Sequence, residues 1–176
     1  MKKFLCAFCL LFSVVAFAAE PAQFTVGGFT FTRPEGWGWV TPSSSMRKAQ
    51  LTVPGDKGAG EVTFFHFGPG QGGSVESNVQ RWAGQFQGGS EGAQAKTATE
   101  TYGGVTVTYV SAQGTYNSGM PGGPTTPVEN YALLGAILQD AKNGDVYVKL
   151  TGPAALVAGA TPVFQQMVKA ASEKPQ

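Results

Sequence analysis

Apolar residues in this chain alternate with polar ones over short stretches far more often than they recur at helical spacing. From Phe24 to Thr32, Phe24, Val26, Phe29 and Phe31 fall on one face if Val26 pairs with Phe29 across Gly27-Gly28, and Thr25, Thr30 and Thr32 fall on the other. Ala49–Val53 reads as a short strand ended by Pro54-Gly55-Asp56. Glu61–Phe67 (EVTFFHF) is apolar on both faces, which places it inside a sheet. Two strands flank Gly103-Gly104; in the second, Val105, Val107 and Tyr109 predict a buried face and Thr106 and Thr108 a wet one. Tyr131–Asp140 and Asp145–Leu150 form a further pair around Asn143-Gly144, the strongest hairpin signal in the chain.

The pattern switches to helical spacing twice. Val75, Val79, Trp82 and Phe86 make one apolar stripe over Val75–Phe86, with Ser74 as its predicted N-cap. Near the end, Gly152-Pro153 opens a short helical piece. Thr161-Pro162 then reads as the N-cap and first residue of a last helix that buries Val163, Phe164, Met167, Val168 and Ala171. Residues 68–74, 87–94 and 117–130 read as loops, the last long enough to call for a functional reason. Strands, helix, strands, helix, with hairpin turns throughout, predict an α+β class: a mostly antiparallel sheet flanked by two main helices.

The first residues stand apart. Lys2 and Lys3, the apolar run Phe4–Phe17 and the small-x-small Ala16-Phe17-Ala18 predict a signal peptide over 1–18 and one domain over 19–176. The run is short of the roughly 20 residues of a membrane span, and no later segment approaches that length. Cleavage would remove both cysteines, Cys6 and Cys9, leaving a mature chain without thiol, disulfide or cysteine-held metal. It would also take Lys+Arg from 12 to 10 against 11 acids, a net charge of −1. So few and so balanced charges argue against nucleic acid or an anionic lipid surface as the partner. The expected compartment is periplasmic or secreted, the expected partner an exported protein or a small ligand.

Candidate chemistry is sparse. Gly68-x-Gly70-x-x-Gly73 matches a dinucleotide fingerprint, but the following strands form an antiparallel hairpin instead of a parallel βαβ unit, so a glycine-permitted turn is the better reading. The amides around Ser74, Val75 and Glu76 could hold a simple anion, with Glu76 opposing it. Gly88-x-Ser90-x-Gly92 matches a hydrolase elbow in inverted context, after a helix and before a strand. His66 is the only histidine, so any Ser-His-acid set or histidine-metal site would need it; a half-buried packing role fits its place between Phe65 and Phe67. Asp140, Asn143 and Asp145 read as turn chemistry, and no cofactor or metal is expected. Trp37 and Trp39, two apart in RPEGWGWV, could stack on a sugar ring with Tyr116, or close one end of the core, the default for so much apolar area.

The run Phe29-Thr-Phe-Thr-Arg-Pro-Glu-Gly-Trp resembles the strand-Pro-x-Gly-Trp entry of PsbP-like domains, a family that includes the photosystem II subunit P and the bacterial DcrB-type proteins. DVYVKLTGPAALVAGATPVFQQMVKAAS is similar to their final strand and docking helix. The resemblance spans Phe24 to Ser172. It implies an antiparallel sheet between helices, used as a non-catalytic binding or accessory module. The two glycine- and proline-rich loops and the absence of a lipidation cysteine depart from it, and no family binding residue maps onto this chain. The function expected is that of an exported, non-catalytic accessory or binding protein. A small carbohydrate-binding module built on the paired tryptophans is the alternative, and a hydrolase centred on His66 the remotest.

Overall fold

The computed structural model describes residues 20–119 and 123–173. The predicted signal peptide lies outside them, as do residues 120–122 of the predicted 117–130 loop. Among the described residues nine strands form two sheets. A hairpin of β1 (Gln23–Val26) and β2 (Phe29–Thr32) stands alone. Seven strands make the main sheet: β3 (Gly38–Trp39), β4 (Arg47–Val53), β5 (Gly60–His66), β6 (Lys96–Tyr102), β7 (Val105–Gly119), β8 (Thr125–Leu138) and β9 (Val146–Pro153). Their spatial order is β3-β4-β5-β9-β8-β7-β6, and every neighbouring pair is antiparallel. The helices are α1 (Val75–Ala83), the one-turn α2 (Gly89–Gly92) and α3 (Ala154–Ser172).

Each face of the sheet has its own core. On one face Leu51, Val62, Phe64, Val148, Leu150 and Leu134 meet α3 and the β1–β2 hairpin, which contribute Phe164, Met167, Val168, Val26, Phe29 and Phe31. Burying a Phe or Leu side chain is worth about 1.5–3 kcal/mol, so this layer dominates the stability. The hairpin pairs Val26 with Phe29 as the alternation predicts. Its turn is tight because Gly27 takes φ +57° and because a side chain there would strike Val146 and His66. Phe24, Phe31, Phe64 and Trp39 interlock with ring centroids 5.0–5.7 Å apart.

On the other face Val110, Ala112, Leu133, Ile137 and Tyr147 meet Trp82 and Phe86. Trp82 lies on the sheet because Gly135 has no side chain; a Cβ there would run into its indole ring. This second layer also buries Thr108, on the face predicted to be wet. The Val-Thr alternation reports one apolar face, but a helix packed on the opposite face buries a threonine as readily.

Four further expectations change. The α1 helix stops at Ala83, with Gly84 as its C-cap, and Phe86 leaves it to bridge to Tyr116. The 87–94 stretch contains α2. Most of the 117–130 stretch is strand: β7 and β8 run on past the sheet as a two-stranded arm, with Asn117 opposite Pro127 and Gly119 opposite Thr125. A register shift between Gly114 and Tyr116 re-aims the arm, and Gln87 N–H to Thr115 O (2.9 Å) and Asn117 N–H to Gln85 O (2.8 Å) tie it to the segment after α1. Pro127 is tolerated because the arm has no further strand to pair with.

The fourth concerns the last helix, which starts at Ala154 and runs straight through Pro162. Thr161 is therefore not an N-cap; its hydroxyl donates to Val157 O, 2.8 Å away, inside the helix. The proline forfeits one helical hydrogen bond, and the burial of Val157, Ala160 and Phe164 on either side of it holds the helix together. Val163, predicted buried, is 43% exposed because the continuous helix turns it outward.

The contact of Trp82 with Gly135 gives a direct test. Gly135→Ala should overpack the second layer and lower stability by about 1–3 kcal/mol, read as a lower urea midpoint, whereas Gly104→Ala, which meets nothing within 4 Å, should show only the strain of its φ of +88°.

Candidate functional site

The strand periodicity assigns every side chain to one of the two faces, and the sequence-predicted residues do not all share one. Trp37 is 6% exposed and belongs to the α3 layer; Trp39, half-buried, packs edge-on to Phe24 in the same layer. The turn that delivers them is built by Trp37 N–H bonding to Pro34 O (3.2 Å) around Gly36 at φ +78°. Arg33 clasps it, its guanidinium reaching Trp37 O, Pro21 O and the Glu20 carboxylate. Both indoles are thus engaged with the core.

His66 ends β5 on that same layer. Its Nε2–H donates to Asn143 O at 2.8 Å, pinning the 139–145 turn beneath the β1–β2 hairpin. Asp140 organises this turn, accepting from the backbone N–H groups of Lys142 and Asn143 and from the Asn143 side chain. Burial would raise the Asp140 pKa, but those hydrogen bonds outweigh it and hold the carboxyl below its ordinary value. At the start of α1, Ser74 Oγ accepts from Ser77 N–H (3.1 Å), and Glu76 occupies the first turn. Ser74 thus caps α1 as predicted and spends one of the amides that an anion near Val75 would use. Among the described residues no three His, Cys, Asp or Glu side chains converge as metal ligands would.

Tyr116 lies on the opposite face, and there the structure assembles groups that the sequence reading did not single out. Tyr116 stacks on Tyr131 (centroids 5.2 Å, planes 26° apart) and meets Phe86 edge-on. Its hydroxyl donates to Gln85 Oε1 at 3.3 Å, and Lys149 Nζ donates to the same oxygen at 3.3 Å. Beside them Glu61 Oε2 receives Arg47 (3.0 Å) and Gln50 (2.8 Å). Arg81, on the last turn of α1, is bonded to Asn78 Oδ1. These groups form a corner: β5 and β9 are its floor, the end of α1 one wall and the base of the arm the other.

The corner exists because α1 is short. It covers the sheet over β7, β8 and part of β9, and leaves the β4–β5 side of that face to half-buried polar residues, Gln50, Thr52 and Glu61. Lys149 stands at the boundary. Burial lowers its pKa from 10.5 to about 8, opposed by the attraction of Glu61 and reinforced by Arg47 and Arg81. Burial likewise raises the phenols of Tyr116 and Tyr131, with further negative influence from Tyr131 and Glu61 on the first and from Glu61 on the second. Lys149 was detectable in the sequence as the one charge inside the apolar run VYVKL; its partners, from β4, β5, α1 and the segment after α1, were not.

The lowered Lys149 pKa makes stability pH-dependent in a definite sense. Between about pH 8 and pH 10.5 the unfolded chain holds a proton on this residue that the folded chain has released. Stability therefore rises with pH in that window. Urea midpoints measured from about pH 7.5 to about pH 9.5, below the tyrosine ionisations, should climb for the wild type relative to Lys149→Met, and the two should run parallel below about pH 7.

No family model and no curated protein sequence matches this chain. Among solved structures it is similar to the solution structure of cyanobacterial PsbP (CyanoP) from Synechocystis sp. PCC 6803, at 10% sequence identity and a TM-score of 0.52, over 87% of this chain and 94% of that one. At such identity the likeness is one of fold, and it is the fold that the sequence resemblance implies. The chain has the PsbP-like fold, an antiparallel sheet with helices on both faces.

Proposed function

We propose that this chain is an exported, non-catalytic accessory protein that holds a partner on the half of its sheet that α1 leaves uncovered. The observation behind the proposal is the unequal cover of the two faces. The α3 face is covered by a nineteen-residue helix and the β1–β2 hairpin, with cavities of about 530 and 570 Å³ along the two margins of α3, whereas the other face ends, beside the nine-residue α1, in the polar corner around Lys149. A half-buried lysine with a single neutral acceptor is costly to keep for stability alone. The arm rising beside it supplies two ordered tyrosines and a wall.

The PsbP-like fold, whose family resemblance implies an accessory module, supports this reading. The basic, apolar start of the chain with its small-x-small signal supports export to the periplasm or the medium. Among the described residues no helix is long and apolar enough to cross a membrane.

Photo-crosslinking in the host's exported fraction tests the proposal. A crosslinking residue at Thr52, on the uncovered half-face, should capture a discrete partner; one at exposed Gln166 on α3 should not. Capture from Gln166 alone, or from neither position across growth conditions, would overturn it.

A further inference from the structure

Most of the buried polar chemistry of this protein is locally satisfied. Thr63 Oγ1 donates to Lys149 O, Asn78 bonds Gly72 O and Ser74 O, and Ser172 bonds Val168 O. Lys149 is different. Its ammonium has three donors, and among the described residues one is used, on the Gln85 amide oxygen; no carboxylate lies within ion-pair distance. The Tyr131 hydroxyl, in the same corner, makes no hydrogen bond among the described residues, although its ring is held by Tyr116.

The surrounding charges are unevenly committed. Arg47 is spent on Glu61 and Gln50, and Arg81 on Asn78. With Lys149, three cations face one carboxylate, so the cluster is net positive. The Lys149 ammonium keeps unused donors and the Tyr131 phenol makes no hydrogen bond among the described residues, two groups of the kind that bind the oxygens of an anion. A doubly charged phosphate would sit against the Glu61 carboxylate, which repels a second negative charge more than a first.

We infer that the corner formed by Lys149, Tyr131 and Gln85 binds a carboxylate group of its ligand. The inference rests on the reading of the uncovered half-sheet as the binding surface and names the chemistry of what it receives. Lys149 supplies the charge, Tyr131 orients the second oxygen, and Gln85, already bonded to Tyr116 and Lys149, keeps the ammonium pointing into the corner. Binding requires the charged amine, so affinity falls as pH rises through about 8. The other titratable or charged groups facing the site are Glu61 from β5, Arg47 from β4, Arg81 from α1, and Tyr116 and Tyr131 from β7 and β8.

The test is NMR of the lysine Cε resonances in the full chain, titrated at constant ionic strength with acetate, inorganic phosphate or chloride. Acetate should shift the Lys149 resonance saturably and raise its titration midpoint. Tyr131→Phe, whose fold is checked by its backbone amide spectrum, should weaken acetate binding by about fivefold, the loss of one hydrogen bond. Lys149→Met should leave no site-specific acetate response in the amides of Gln85 and Tyr131. Phosphate binding more tightly than acetate would overturn the carboxylate assignment. A response to acetate no larger than to chloride would assign the corner a purely structural role, and the capture of a partner from Thr52 would stand or fall independently.

Discussion

Strand β9 is buried on both faces, and the rest of the molecule is arranged to make that possible. Val146, Val148 and Leu150 point into one layer and Tyr147 and Thr151 toward the other, all nearly inaccessible to water. A strand in that position needs hydrogen-bonded neighbours on both sides and apolar cover above and below. Strands β5 and β8 meet the first need, pairing with β9 along its length. Helix α3 and the phenylalanine-rich hairpin meet the second on one face. On the other the cover comes from Trp82 and Phe86 on and just after α1, seated by Gly135.

That second cover is incomplete, and the incompleteness leaves a polar corner around Lys149. The nine-residue helix cannot reach across seven strands. Where it stops, β9 carries a lysine instead of another aliphatic residue. Charge at the margin of a hydrophobic layer is ordinarily relieved by exposure or by a counter-ion. Here Lys149 is half-buried with only an amide oxygen as partner, while the nearest carboxylate, Glu61, is occupied by Arg47 and Gln50.

The arm has a similar origin. Strands β7 and β8 outgrow the sheet, and once past β9 nothing but each other and the short segment after α1 pairs with them. The stacked Tyr116 and Tyr131 mark the point of departure. Because Phe86 reaches the arm only by leaving the helix, the end of α1, the base of the arm and Lys149 are mechanically one unit.

Most of the layer facing α3, and the helix stripe that covers the other face, are legible in the residue pattern. The Val26–Phe29 hairpin, the doubly apolar β5 and the Asn143-Gly144 turn on the one side, and the apolar stripe through Trp82 on the other, are local periodicities, and local periodicity survives in any fold that buries one side of a segment. The break of α1 before Phe86, the continuity of α3 through Pro162, the burial of Thr108 and the strand character of the arm depend on what lies opposite each segment, which no local window contains. The same holds for the site. The paired tryptophans drew notice as neighbours in sequence and proved to be engaged with one core, whereas Lys149, Gln85, Tyr116, Tyr131, Glu61 and Arg47 come from six separate elements or their connections. Class, the core residues of the α3 layer and the expectation of export all follow from local pattern. Where the sheet is left uncovered does not, because cover is a relation between elements distant along the chain.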